Sequence, residues 1–168
     1  MKPTMEILEN IKQNSARNKD EVFTRLYRYL LRPDLYYQAY QNLYANNGAS
    51  TQGVNTDTAD SFSKAKIERI INMLTDEPYP PPPARRTYIQ KANGKMRPLG
   101  IPTFTDKLVQ EALRMILEAV YEPVFMDCSH GFRPNRSCHT ALKSIKRGFN
   151  GIRWFVEGDI KGCFDNID

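Results

Sequence analysis

RRTYIQKANGKMRPLGIPTFTDKLVQEAL, residues 85–113, is the stretch whose reading decides the fold. Its first half is strand-like. Thr87 to Lys91 is β-rich, Asn93-Gly94 is a strong turn signal, and Lys95 to Leu99 leads away, which predicts a hairpin over 85–100. The period then changes. Leu108, Val109, Ala112, Leu113, Ile116, Leu117 and Val120 recur every three or four residues, the spacing of one helical face. Thr103 with Asp106 reads as the N-terminal cap of that helix, and Pro123 ends the pattern. A small hairpin among helices makes the chain a helix-rich α+β protein.

Lys91 and Arg97 bracket the turn. A lysine point charge and an arginine fork suit a triphosphate. A two-residue Asn-Gly loop would pair Lys91 with Met96 and set Lys91 and Arg97 on opposite faces. A ligand shared by both requires a three-residue or bulged loop, and that is the form expected here.

Working outward, residues 4–45 read as helices. Apolar residues at 22, 23, 26, 27, 30 and 31 predict a helix over 21–31. Pro33 breaks it, and Asp34 caps a second helix through Tyr44. The tyrosines on these helices read as packing residues. Residues 46–61 are rich in Asn, Gly, Ser and Thr without hydrophobic period, and loops this long are usually functional or disordered. Helix returns over 62–74, with Ile67, Ile70, Ile71 and Leu74 on one side. PYPPPP, residues 78–83, is an extended, semi-rigid spacer. Beyond the central helix, HGFRPNR (130–136) is a polar loop. Ser137 caps a helix whose Ala141, Leu142 and Ile145 face inward, and residues 153–157 form a strand-like run leading to Asp159.

The chain has 24 Lys/Arg against 19 Asp/Glu, a net charge of +5. Five of the basic residues fall between Pro78 and Thr105 and six between Cys128 and Phe155, with no acid in either block. Such blocks attract polyanions in a salt-sensitive way. Arg85, Arg86, Arg133, Arg136, Lys143, Lys146 and Arg147 are therefore candidate RNA contacts. No apolar run is long enough to span a membrane, and the first residues lack a signal peptide's apolar block. A cytoplasmic protein without a membrane partner is expected, with its three cysteines reduced. Cys128, His130, Cys138 and His139 do not match the usual zinc spacings. Neither a phosphate-binding glycine loop nor a nucleophile elbow is present.

Asp159 lies just past the strand-like run, where a carboxylate can hold a hard cation. Asp165 lies six residues on, and a turn or cap role fits either aspartate as well. Spacing alone leaves both readings open.

In order, DEVFTRLYRYLLRPDLYYQAYQNLY, the NNGAST loop, the 85–113 stretch, SHGFRPNRSCHTAL and RWFVEGDIKGCFDNID closely resemble group II intron-encoded reverse transcriptase/maturases of the IIA type. The resemblance covers essentially all 168 residues. It implies part of a right-hand polymerase: a helical extension over 1–77 with the polar loop 46–61, fingers over 78–152, and a first palm strand over 153–168. It implies that Asp159 is a catalytic, Mg²⁺-binding aspartate of a two-metal site, with the Ile160 carbonyl beside it. Phe164 would pack under the incoming sugar and reject a 2′-hydroxyl. Lys91 and Arg97 would grip the dNTP. Asn46, Asn47, Ser50 and Thr51 would contact template and primer. Asp165 would be either a metal ligand or a structural residue.

The implied function is RNA-directed DNA synthesis on an RNA template with a DNA or RNA primer, together with binding of the intron RNA for splicing and retrohoming. The family's Asp-Asp pair does not occur in these 168 residues, so the chain alone is expected to be inactive as a polymerase. The alternative is a non-enzymatic, intron-RNA-binding splicing module. A retron-type or diversity-generating reverse transcriptase would share the motifs from Lys91 onward but not residues 1–62. Apolar surface left uncovered on 153–157 predicts self-association as a homodimer.

Overall fold

The structure is a computed structural model that describes residues 2–76, 79–160 and 162–163. It is a mixed fold of helices and one small antiparallel sheet. Five helices run α1 (Thr4–Arg17), α2 (Pro33–Tyr44), α3 (Lys64–Asp76), α4 (Phe104–Tyr121) and α5 (Cys138–Gly148). Between α3 and α4 lies the hairpin β1 (Arg85–Gln90) and β2 (Met96–Ile101). By compactness the chain divides into two units, Met1–Phe125 and Met126–Asp168.

The first unit is built on α4, which packs against α1 and α2 and touches α3. Leu35, Tyr36, Ile67, Ile70, Phe104, Leu108 and Ile116 are at most 1% exposed and form its centre. Burying a side chain of this size contributes about 1.5–3 kcal/mol. Part of the expected stripe on α4 faces outward: Leu113 and Leu117 are exposed, and Met115 and Ala119 are buried instead. Thr103 caps α4 by accepting from the Asp106 N–H at 3.2 Å. Tyr40 stacks on Phe62 with centroids 3.9 Å apart, and the Tyr36 hydroxyl donates to the Leu30 carbonyl at 2.8 Å. These two tyrosines are packing residues. Tyr27, Tyr37 and Tyr44 keep half their surface or nearly so.

Three local expectations are corrected within this unit. Residues 21–31 do not form an α-helix, and only Leu26–Tyr29 makes a short 3-10 turn. Arg25, at φ 60°, interrupts the chain, and the neighbours Tyr29 and Leu30 both enter the core. An L-residue in the left-handed conformation cannot continue a right-handed helix, so the local apolar pattern is overridden at Arg25. The second correction concerns Asp34, which does not cap its own helix. Pro33 opens α2, and the Asp34 carboxylate accepts from the Thr4 N–H and hydroxyl, both at 2.6 Å. It therefore satisfies a donor at the start of α1 that the helix itself cannot. Lastly, the loop 46–61 is partly structured, with a 3-10 turn at Ala59–Ser61.

The second unit is more open. Ser137 caps α5 in a reciprocal capping box with Thr140. Contrary to expectation, no residue of α5 is buried, and Leu142 and Ile145 are exposed. Residues 153–157 do not form the expected first palm strand. They are without secondary structure, and Trp154, Phe155 and Val156 are 76–99% exposed. A strand needs a neighbour for its backbone hydrogen bonds. Among the described residues the one sheet is β1–β2, which offers 153–157 no edge pairing. Phe164 and Asp165 lie outside the described residues, as does Lys161.

Candidate nucleotide and nucleic-acid interface

The hairpin resolves the question of the turn. Gln90 pairs with Met96, the Lys91 N–H donates to the Lys95 carbonyl at 2.8 Å, and the Gly94 N–H donates to the Lys91 carbonyl at 2.9 Å. The loop therefore has three residues, Ala92, Asn93 and Gly94. Gly94 takes φ +79°, the left-handed conformation that such a loop requires at its last position. Ile89 pairs with Arg97. Residues two apart on a strand share a face, so Lys91, Lys95 and Arg97 lie on one side of the ribbon, together with Arg85. Arg86 lies on the other. Lys91 and Arg97 are both exposed. This is the loop form that a shared anionic ligand requires.

The polar loop 46–61 is held against the base of this hairpin and the start of α4. The Arg85 Nε donates to the Gln52 carbonyl at 3.0 Å. The Lys107 ammonium donates to the Gly48 carbonyl at 3.1 Å and the Thr51 carbonyl at 3.0 Å. Gly53 is buried, and a Cβ there would lie 2.8 Å from the Pro102 carbonyl oxygen and the Thr103 nitrogen. Both neighbours are backbone, so only glycine fits. Asp57 Oδ2 accepts from the Thr105 N–H at 3.0 Å and its hydroxyl at 2.7 Å. Asp57 Oδ1 accepts from Ser61 and Lys66. Burial alone would push this carboxyl up, but hydrogen bonds from Lys66, Ser61 and Thr105, with the Lys66 charge, hold it below the ordinary carboxylate value. The result is a pinned loop that presents Asn46, Asn47 and Ser50 to solvent, with Thr51 half-buried. Sequence reasoning passed over Gly53, Asp57, Lys66 and Lys107, whose partners are up to 59 positions away.

In the second unit, Arg133 and Arg136 organise their own loop. Arg133 donates to the Met126 carbonyl at 3.0 Å and the Ser129 carbonyl at 2.8 Å. Arg136 donates to the Asp127 carbonyl at 3.0 Å and carboxylate at 3.1 Å. Lys143, Lys146 and Arg147 are exposed on α5. Asp159 and Ile160 are exposed in irregular chain. Among the described residues no group of three His, Cys, Asp or Glu side chains could hold a metal ion. Asp159 with the Ile160 carbonyl is an oxygen pair of the right chemistry for Mg²⁺ but does not by itself make a two-metal site. No described helix is long and apolar enough to cross a membrane.

Residues 89–168 match the family described as reverse transcriptase (RNA-dependent DNA polymerase), which takes in the Lys91 and Arg97 hairpin and Asp159. The whole chain is 73% identical, over 169 aligned positions, to group II intron-encoded protein LtrA of Lactococcus lactis subsp. cremoris, of which it spans 28%. It is 48% identical over 95% of its length to an uncharacterized 91 kDa protein in a cob intron of Schizosaccharomyces pombe, spanning 20% of it. Over 40% of its length it is 45% identical to nuclear intron maturase 1, mitochondrial, of Arabidopsis thaliana, spanning 9% of that protein. The chain is a homologue of the group II intron-encoded proteins and carries reverse-transcriptase-family sequence.

Proposed function

We propose that this chain is the nucleotide-gripping part of an RNA-directed DNA polymerase that also binds its intron RNA as a maturase. In this reading residues 1–77 form a helical extension with the loop 46–61 on template and primer, 78–152 form polymerase fingers, and 153–168 open the palm. The observation that carries the reading is the three-residue hairpin loop, which gathers Lys91 and Arg97 on one face within a segment matching the reverse-transcriptase family. Two cations so placed can neutralise a triphosphate, and preorganised charge of this kind costs no rearrangement when the transition state forms. The names of the relatives, intron-encoded protein and intron maturase, support intron RNA as the second partner.

Asp159 and the Ile160 carbonyl are the proposed contribution of this chain to Mg²⁺ binding, with Asp165 as a ligand or a structural neighbour and Phe164 as the sugar gate. The described residues do not complete a metal site; in this reading the hairpin and the pinned loop position the nucleotide and the nucleic acid. The exposed run Trp154–Val156 supports self-association as a homodimer, and a cytoplasmic setting is consistent with the reading. Titrating dNTP against Lys91→Ala and Arg97→Ala in the full-length protein tests it. A raised KM with intron affinity unchanged is expected. Equal loss of both would assign the pair to an RNA surface and favour the non-enzymatic splicing module.

A further inference from the structure

The hairpin is held to the helical core by little of its own surface. Apart from Thr87 and Ile101, every residue of β1 and β2 is exposed. Residues 79–84, which lead into β1, have no regular secondary structure. A two-stranded ribbon is marginal by itself and needs packing against something else to hold its place. The loop 46–61 supplies contacts at both of its roots. At the start of β1, the Arg85 Nε donates to the Gln52 carbonyl at 3.0 Å. At the end of β2, Gly53 lies backbone against backbone on Pro102 and Thr103, the residues that join the ribbon to α4. The loop is in turn fixed to α4, whose Phe104 and Leu108 are fully buried. Asp57 accepts from Thr105, and the Lys107 ammonium bridges the Gly48 and Thr51 carbonyls. Within the loop, the Thr51 N–H donates to the Gly48 carbonyl at 3.2 Å and the Ala59 N–H to the Ala49 carbonyl at 3.3 Å. The loop is therefore closed on itself and bears on the ribbon as one piece.

We propose that the loop 46–61 is a buttress that sets the direction in which the hairpin leaves the core, and that Arg85 and Lys107 are thereby positioning residues for the nucleotide held by Lys91 and Arg97. The proposal rests on the nucleotide-gripping reading and adds a means by which nucleic acid on the loop is felt at the dNTP. Arg85 lies six residues before Lys91, about 20 Å along an extended strand and too far to share its phosphates. Lys107 is engaged by loop carbonyls. Either residue therefore acts on the nucleotide only through the ribbon. Released from the loop, the ribbon keeps its turn and register but loses its fixed bearing. Reactive geometry is sensitive to displacements of about 1 Å, so a loosened root is felt at the tip.

The test is primer extension by the full-length protein at saturating template–primer, with the KM for dNTP and kcat followed separately and folding of each variant checked by circular dichroism. Arg85→Ala and Lys107→Met are each expected to raise KM about two- to tenfold, the factor to which the net contribution of one hydrogen bond converts, with kcat changed less. Should Lys107→Met not fold, Arg85→Ala, which alters an exposed hydrogen bond, decides alone. If Lys91→Ala raises KM while Arg85→Ala and Lys107→Met leave it at the wild-type value, the buttress is overturned and the nucleotide-gripping reading stands. If Lys91→Ala also leaves KM unchanged, both fail. A KM raised at low template–primer but normal at saturation would mean that the loop serves the nucleic acid alone. A fall in kcat with KM unchanged would mark a general loosening of the fold. Either result overturns the proposal.

Discussion

The Asp57 carboxylate accepts two hydrogen bonds from Thr105, one from its N–H at 3.0 Å and one from its hydroxyl at 2.7 Å, across 48 residues of sequence. Thr105 is the second residue of α4, so a loop aspartate satisfies a helix N-terminus that the loop itself does not belong to. A negative charge there is also favoured by the helix dipole. Lys66 closes the arrangement from α3. Asp57→Ala leaves Lys66 and Thr105 without this partner and is expected to cost about 1–3 kcal/mol, read by urea denaturation.

That contact also gives the protein an acid-sensitive element. The folded value of Asp57 is depressed, so its contribution is complete above the ordinary value of 3.8 and is lost as pH falls through the lower folded value. Asp34 shifts the same way: burial opposes it, and bonds from Thr4 and Arg32 outweigh burial. Stability of the wild-type chain is expected to fall below about pH 4. Asp57→Asn is expected to flatten that fall when midpoints are followed against pH.

Gly53 carries a steric prediction. The nearest atoms to its missing Cβ are backbone of Pro102 and Thr103, which no side-chain rotation can relieve. Gly53→Ala is expected to destabilise by about 1–3 kcal/mol, the usual range for forced overpacking. Gly48, with nothing within 4 Å of an added Cβ, serves as the control in the same thermal melts.

The hairpin loop length is itself testable. Deleting Ala92 shortens the loop to Asn93-Gly94 but keeps Lys91 opposite Lys95, so Lys91 and Arg97 stay on one face. In the full-length protein this deletion is expected to leave the KM for dNTP near the wild-type value, whereas Arg97→Ala is expected to raise it about tenfold if one charged hydrogen bond of about 1.5 kcal/mol is lost. Arg86→Ala, on the far face, is expected to leave KM unchanged.

Core and surface leucines separate cleanly. Leu108 is fully buried and Leu142 is 63% exposed, although both sit on amphipathic helices. Leu108→Ala is expected to cost about 2–5 kcal/mol. Leu142→Ala is expected to stay within about 0.5 kcal/mol in the same denaturation experiment. At high concentration, light scattering is expected to report a mass above the 19.4 kDa of one chain, and Phe155→Glu is expected to bring it back.

The sequence by itself determined the hairpin, the central helix with its Thr103 cap, the Ser137 cap of α5 and the need for a three-residue loop between Lys91 and Arg97. Each of these is fixed by neighbours a few residues apart, through backbone geometry and local hydrogen bonds. Tertiary structure alone decided that residues 21–31 leave the helix to bury Tyr29 and Leu30 side by side. It also turned Asp34 toward α1, and it pinned the loop 46–61 through Gly53, Asp57 and Lys107. Those outcomes depend on atoms that meet only after the chain has folded back on itself. The run 153–157 makes the same point in reverse. Its composition favours a strand, but a strand exists only with a partner to accept its hydrogen bonds, and none is present among the described residues.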